Sequence, residues 1–255
     1  MILCIDAGNT RLKWALANAN GEWVSAGTCS HQDVQSSIEE LVRQNSEIVG
    51  VAFSNVAGDA CAQAVQQAVG DLPLQTIQSS PQALGVMNGY QRPEMLGVDR
   101  WCSLVAAWQL QHGACLVVSL GTATTVDALD ESGHFLGGLI LPGITLMRSS
   151  LAERTAQLPL VSMVADKSKS LTAWPNSTDE AIIAGSLEST AGAIERAWQK
   201  LALNAKTPPV CVLTGGAGSQ LLPFLALPSM AIVVREHLVL EGVYRLSSAS
   251  SKPNA

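Results

Sequence analysis

The sequence predicts an α/β fold of two domains with duplicated topology, residues 1–113 and 114–255, and a ligand cleft between them. Three observations carry this. The chain of 255 residues is longer than one small core requires. Its opening pattern, an apolar strand, a Gly-centred turn, a second strand, a polar hairpin and a third strand, recurs from Cys115. After each copy, stretches of helical and strand period alternate.

Ile2–Asp6 is an apolar run of strand length, and Ala7-Gly8-Asn9-Thr10 is turn chemistry. Lys13–Asn18 returns as a second strand, Asn20-Gly21 turns the chain, and a third strand runs around Trp23–Gly27. Val34, Ile38, Leu41 and Val42 follow helical spacing, as do Cys61, Ala64, Val65, Ala68 and Val69. A short β-like run, Ile48–Phe53, separates them, and Asp99 to about Gln111 is helical again. The boundary falls near Gly113. Aligned by their glycines, Asp6-Ala7-Gly8-Asn9-Thr10 matches Ser119-Leu120-Gly121-Thr122-Ala123. A long helix is expected from about Thr178 to Leu203 and a strand over Pro208–Leu213, with a Gly-rich turn at 214–218 leading into a helix. The polar, small-residue tail from Ser247 is expected to fray.

Bulk properties narrow the function classes. Hydrophobic residues make up 47% and charged residues 14%, which suits a packed core and argues against disorder. The net charge is −6 and no Lys/Arg cluster occurs, so a nucleic-acid partner is not expected. Six cysteines without a CxxC pair read as buried thiols of a reducing compartment. Neither a signal peptide nor a membrane-spanning apolar run is visible, so a cytoplasmic location is expected.

Five segments carry candidate chemistry. In Asp6-x-Gly8-Asn9-Thr10 a glycine lets backbone approach a phosphate, backbone amides and the Thr10 hydroxyl can donate, and Asp6 can hold Mg²⁺ through water. The same residues also suit an ordinary hairpin turn. Gly121-Thr122-Ala123-Thr124-Thr125, with Asp127 beyond, offers hydroxyls to phosphate or is a Thr-rich strand. Gly97-Val98-Asp99-Arg100 opens a helix, with Asp99 either a dipole-favoured acid or a general base and Arg100 a clamp for an anion. Gly137-Gly138-x-Ile140-x-Pro142-Gly143 precedes a helix and suits a phosphate or a packing turn. Thr214-Gly215-Gly216 could admit a nucleoside or serve as a plain βα turn. The four histidines form no ligand spacing and read as surface or structural residues.

In their order and spacing, these segments resemble the type III pantothenate kinases of the acetate and sugar kinase/heat-shock chaperone/actin superfamily. The resemblance runs through DAGNT (6–10), Tyr90, GVDR (97–100), GTATTVD (121–127), GGLILPG (137–143), the NST-x-x-AI segment (176–182) and TGG (214–216). It implies two ribonuclease H-like domains and ATP-dependent phosphorylation of pantothenate at its 4′-hydroxyl, the first step towards coenzyme A. By resemblance, Asp6, Ala7, Gly8, Asn9, Thr10, Arg11, Leu12, Lys13 and Thr122 bind ATP, and Asp99 is the proton acceptor. Tyr90, Gly97, Val98, Asp99, Arg100 and Thr178 hold pantothenate, at a site built in a homodimer interface. Mg²⁺ accompanies ATP. Many members carry Asp where this chain has Ser119, and that Asp binds a monovalent cation, K⁺ or NH₄⁺. A neutral Ser is a poorer ligand, which puts K⁺ activation in doubt and leaves two readings, a K⁺-independent enzyme or one that uses another charge there. Two other readings share the fold: a kinase for another small hydroxyl or carboxyl substrate, and a nucleotide-binding regulator without catalysis.

Overall fold

The computed structural model describes residues 1–161 and 174–250. In chain order the strands are β1 (Ile2–Ala7), β2 (Leu12–Ala17), β3 (Trp23–Cys29), β4 (Gly50–Asn55), β5 (Leu74–Thr76), β6 (Gln82–Ala83), β7 (Val86–Asn88), β8 (Cys115–Leu120), β9 (Ala123–Leu129), β10 (His134–Pro142), β11 (Val210–Thr214) and β12 (Ile232–Val234). The helices are α1 (Val34–Gln44), α2 (Asp59–Val69), α3 (Val98–Gln111), α4 (Ile144–Arg154), α5 (Thr178–Ala202), α6 (Gly218–Leu221) and α7 (Leu238–Ser250).

The chain forms two compact units, and one junction lies between Gly113 and Ala114. The first unit also takes Leu129–Gly137 and the segment from His237, so it is not a single stretch of chain. Its main sheet has the order β3-β2-β1-β4-β5. The first three strands pair antiparallel, whereas β4 and β5 join parallel. That order follows from the sequence: short turns join the meander, and the helix-period segments α1 and α2 supply the right-handed crossovers that parallel strands need. Leu3, Ile5, Leu12, Leu16, Ile38, Phe53 and Val65 fill the core between sheet and helices. At the start of β10, His134 and Phe135 pair parallel with Met87 and Asn88 of β7.

In the second unit the order β10-β9-β8-β11-β12 repeats the arrangement of the first, a three-strand meander followed by two further strands. β8, β11 and β12 run parallel. Leu116, Val118, Leu120, Leu187, Ile194 and Leu213 form this core. α5 starts where expected because Ser177 caps it, accepting the Glu180 N–H at 3.3 Å, and Asp179 and Glu180 favour its positive end. The six cysteines are unpaired thiols, five of them buried.

The expectation for the C-terminal tail needs correcting. Residues 247–250 continue α7, and Ser247 is 6% exposed with its hydroxyl donating to the Tyr244 carbonyl. Leu238, Leu240, Val243 and Leu246 give α7 a buried stripe, which outweighs the small polar residues around Ser247. The rest of the tail, 251–255, lies outside the described residues.

α7 packs closely on α3 because Gly242 has no side chain. A Cβ there would drive into the Cys102 backbone carbonyl. Gly192, exposed in the interior of α5, has open space where a methyl group would stand, with nothing within 4 Å. Gly242→Ala is therefore expected to cost about 1–3 kcal/mol, whereas Gly192→Ala stabilises by up to about 1 kcal/mol. Urea denaturation of the two variants checks this opposition of signs.

Candidate active site

β1 ends at Asp6-Ala7, and the chain turns at Gly8, whose N–H donates to the Arg11 carbonyl at 3.2 Å. Leu12 then starts β2, buried in the core. Asn9, Thr10 and Arg11 are exposed at the tip of the turn. Gly8 is outside the left-handed region, and a Cβ there would lie 3.4 Å from the Arg11 carbonyl. The turn itself does not demand glycine; an unhindered backbone on the outer side is what the residue supplies. His31 ties the turn from behind, its Nε2 lying 2.9 Å from the Gly8 carbonyl. Since a carbonyl only accepts, His31 donates from Nε2.

Asp6 is 6% exposed, and its Oδ1 is buried with no hydrogen-bond partner among the described residues. Burial pushes its carboxyl up to about 7 from the ordinary 3.8. Lys13, its register partner across the antiparallel ladder, opposes that rise, and Asp99 adds to it. The latter coupling brings the two candidate carboxylates into one electrostatic site although 93 residues separate them in sequence (99 − 6).

Asp99 sits in the first turn of α3, half-buried. Gly97 is the N-cap, and a Cβ on it would come within 2.6 Å of the Asp99 Oδ1. Glycine here leaves room for the carboxylate. Arg100 is 7% exposed and donates from Nη1 to the Tyr90 hydroxyl at 2.8 Å. Its guanidinium lies 5.6 Å from the Tyr90 ring centre and 5.8 Å from that of Phe135. The two rings are 5.3 Å apart. The Tyr90 loop is fixed in turn: Asn88 Oδ1 accepts the Tyr90 N–H at 3.1 Å, and its Nδ2 donates to the Ser80 and Pro93 carbonyls. Val98 opens α3 beside these groups.

Cys102, one turn further along α3, is fully buried, and its thiol is raised well above its ordinary value by burial first and then by Asp6 and Asp99. It stays a neutral packing group.

In the second unit, the turn between β8 and β9 repeats that of the first. Gly121 N–H donates to the Ala123 carbonyl at 3.1 Å, and Thr122 is exposed at the tip. Ser119 is half-buried on β8 opposite Thr214 of β11. Gly215 lies at φ +98 with a Cβ position inside the Leu120 backbone, so here glycine is demanded by the fold. Gly143 is likewise pressed on Gly121 and Thr122, its N–H donating to the Thr122 carbonyl at 3.0 Å. Thr178 is exposed at the start of α5 and lines a cavity of about 560 Å³ with Pro142, Met147, Leu151, Leu158 and Ile182.

Within the first unit, then, Asp6 is coupled to Lys13 and Asp99, and Arg100, next to Asp99 in α3, pairs with Tyr90, whereas Ser119, Thr122 and Thr178 belong to the second. Sequence reasoning missed the His31 tether, the Asn88 brace and the Phe135 ring. His31 was expected to be a surface or structural residue, and its structural task is the phosphate-loop candidate itself. The buried, unpartnered Oδ1 of Asp6 suits a cation. No group of three or more His, Cys, Asp or Glu able to hold a metal occurs among the described residues, so a Mg²⁺ here would keep water and phosphate oxygens as its other ligands. No helix among the described residues is long and apolar enough to cross a membrane.

The family described as type III pantothenate kinase matches residues 2–200. A type III pantothenate kinase of Aromatoleum aromaticum is 42% identical over 247 residues, covering 95% of this chain and 96% of its own. One from Nitrosospira multiformis is 38% identical, covering 99% of this chain and 93% of its own. Among solved structures, the activator of 2-hydroxyisocaproyl-CoA dehydratase from Clostridium difficile, determined with bound ADPNP, aligns with a TM-score of 0.51 at 14% identity, covering 100% of this chain and 98% of that one. That likeness shows the fold alone, the duplicated ribonuclease H-like architecture that the two strand orders already display. Matched over most of its length, and at an identity far above what a shared fold alone requires, the chain belongs to the type III pantothenate kinase family.

Proposed function

We propose that the chain transfers the γ-phosphoryl group of ATP to the 4′-hydroxyl of pantothenate, the entry step of coenzyme A synthesis. Membership of the kinase family supports the reaction. The observation that carries the residue assignment is the juxtaposition of Asp99, at the start of α3, with Asp6, at the end of β1.

In this reading Asp99 accepts the proton of the substrate hydroxyl as the oxygen attacks phosphorus. Gly97 keeps its carboxylate unobstructed. The Asp6–Lys13 segment binds ATP phosphates: the backbone amides and the Thr10 hydroxyl donate, and Lys13 lies beside Asp6. Mg²⁺ held by Asp6 through water would neutralise charge that builds on the phosphoryl oxygens. Thr122 extends the ATP-binding set. Arg100 and Tyr90 form a rigid platform for pantothenate, with Gly97, Val98 and Thr178 completing its contacts. Arg100 is held by the Tyr90 hydroxyl and two rings, so its geometry costs little to organise when substrate arrives. A homodimer acting in the cytoplasm, without nucleic-acid or membrane partners, completes the proposal.

Three outcomes are expected. Asp99→Asn lowers kcat by a factor of about 10² or more while leaving ATP affinity within about threefold; turnover within a few-fold of the parent enzyme removes Asp99 as the base. Activity with pantothenate changes little between buffers with and without K⁺ or NH₄⁺, because Ser119 offers no carboxylate; strong activation by either ion contradicts this. The third concerns Asp6 without ligands. Its folded-state carboxyl titrates near 7, above its unfolded value of 3.8, so the folded protein holds the extra proton between these values. The stability this contributes is full below about pH 4 and is lost as pH rises through about 7, up to about 4 kcal/mol in all. Asp6→Asn flattens that slope, seen in thermal melts from pH 4 to 8. An unchanged slope in the variant means that other groups produce it.

A further inference from the structure

Arg148 lies in α4, in the second unit, and takes no part in the reaction described above. Its residue is 5% exposed. A guanidinium so buried ordinarily has a carboxylate partner. Among the described residues Arg148 has none: its contacts there are two long bonds, Nε to the Ile144 carbonyl at 3.3 Å and Nη2 to the Thr145 hydroxyl at 3.4 Å, and Nη1 is buried without a partner.

Those two bonds give the side chain a direction. Helical side chains lean towards the helix N-terminus, and Arg148 folds back along α4 onto its first turn. That turn has its own unsatisfied donors. Its N-cap is Gly143, which has no side chain to cap it, and the first backbone bond of the helix is Met147 N–H to the Gly143 carbonyl. The N–H groups of Ile144, Thr145 and Leu146 thus point along the positive end of an 11-residue helix with no capping acceptor among the described residues. Replacing Gly143 would not help, because a Cβ there would enter the Gly121 and Thr122 carbonyls. Thr145 and Leu146 are exposed, so solvent and ions reach the turn. Thr124 adds a further buried hydroxyl without a partner, on the β9 face of Val126, which belongs to the same core cluster as Ile144.

We propose that the first turn of α4 and the guanidinium of Arg148 form a binding site for a phosphate-type oxyanion. A free helix N-terminus favours negative charge, and the buried guanidinium adds a full positive charge and a planar pair of donors. The two features are independent, and both lack the same thing. The site adjoins the Thr122 turn, so either the terminal phosphate of a nucleotide or free inorganic phosphate can be its occupant.

Calorimetric titration at constant ionic strength tests this, with inorganic phosphate alone and with ADPNP, on the full-length protein without pantothenate. The parent protein binds phosphate, Arg148→Met loses at least tenfold in affinity, and Arg148→Lys falls between them. A parallel tenfold loss for ADPNP assigns the site to the nucleotide; loss for phosphate alone assigns it to the free ion. Thr145→Glu provides a second route should Arg148→Met fold poorly. A tethered carboxylate beside the guanidinium raises the melting temperature in phosphate-free buffer and abolishes the phosphate response. Equal phosphate affinity, within twofold, in the parent, Arg148→Lys and Thr145→Glu overturns the proposal. Because no turnover is read, this result is separate from whether pantothenate is the substrate.

Discussion

The first unit is organised around one unfavourable burial, the carboxylate of Asp6 at the end of β1. A carboxyl that is 6% exposed, with one oxygen unpartnered, is costly in a folded protein. It is tolerated because its surroundings are fixed on each side. β2 brings Lys13 opposite it, β4 brings Ser54 alongside in parallel register, and α3 brings Asp99 near enough to raise its proton affinity further. The last contribution is repulsive. Two carboxylates held together in this way are a poor arrangement for an empty protein and a good one for a protein that takes up cations and transfers protons.

Packing residues and members of the proposed substrate platform together hold α3 in that position. Gly242 lets α7 press on the Cys102 backbone, and Cys102 is a fully buried thiol that burial, and after it Asp6 and Asp99, keep neutral. Gly97 clears the space that Asp99 occupies. The Arg100–Tyr90–Phe135 stack locks the next residue of the same helical turn. Cation–π and ring contacts of this kind are worth about 0.5–2 kcal/mol each. Such contacts also restrict the rotamers open to Arg100.

Much of this was legible in the sequence, and the limits follow from range. Both meanders, the crossover helices and the long helix α5 are local patterns of period 2 or 3.6, punctuated by Gly turns. The internal echo of Asp6–Thr10 at Ser119–Ala123 was legible too, because an alignment of two short segments needs no contact information. What stayed hidden depends on pairs far apart in sequence. Nothing near His31 says that its ring will hold the Gly8 carbonyl. Nothing near Phe135 says that β10 will begin beside β7 and offer a ring to Arg100. The return of Leu129–Gly137 and of α7 to the first unit is of the same kind: a cut at Gly113 reads the chain as linear, whereas packing is not. The misread tail shows local composition losing to a buried stripe, since Leu238, Leu240, Val243 and Leu246 carry α7 past the polar residues at its end.

The duplicated turns show how one backbone design takes on two electrostatic characters. In each, a Gly amide closes the turn onto a carbonyl two or three residues ahead, and in each a Cβ on that Gly would meet only ordinary contacts. Neither glycine is required by the fold, so both are free to serve whatever approaches the turn. The side chains then differ in sign. The first turn follows a buried carboxylate and faces Lys13; at the matching strand position the second has the neutral Ser119. Its unit instead carries a buried positive charge, Arg148, on the helix that begins against the Thr122 carbonyl. The two halves share backbone geometry but not charge. For a reaction that moves a highly charged phosphoryl group, that asymmetry in charge has more bearing on the chemistry than the symmetry of the fold.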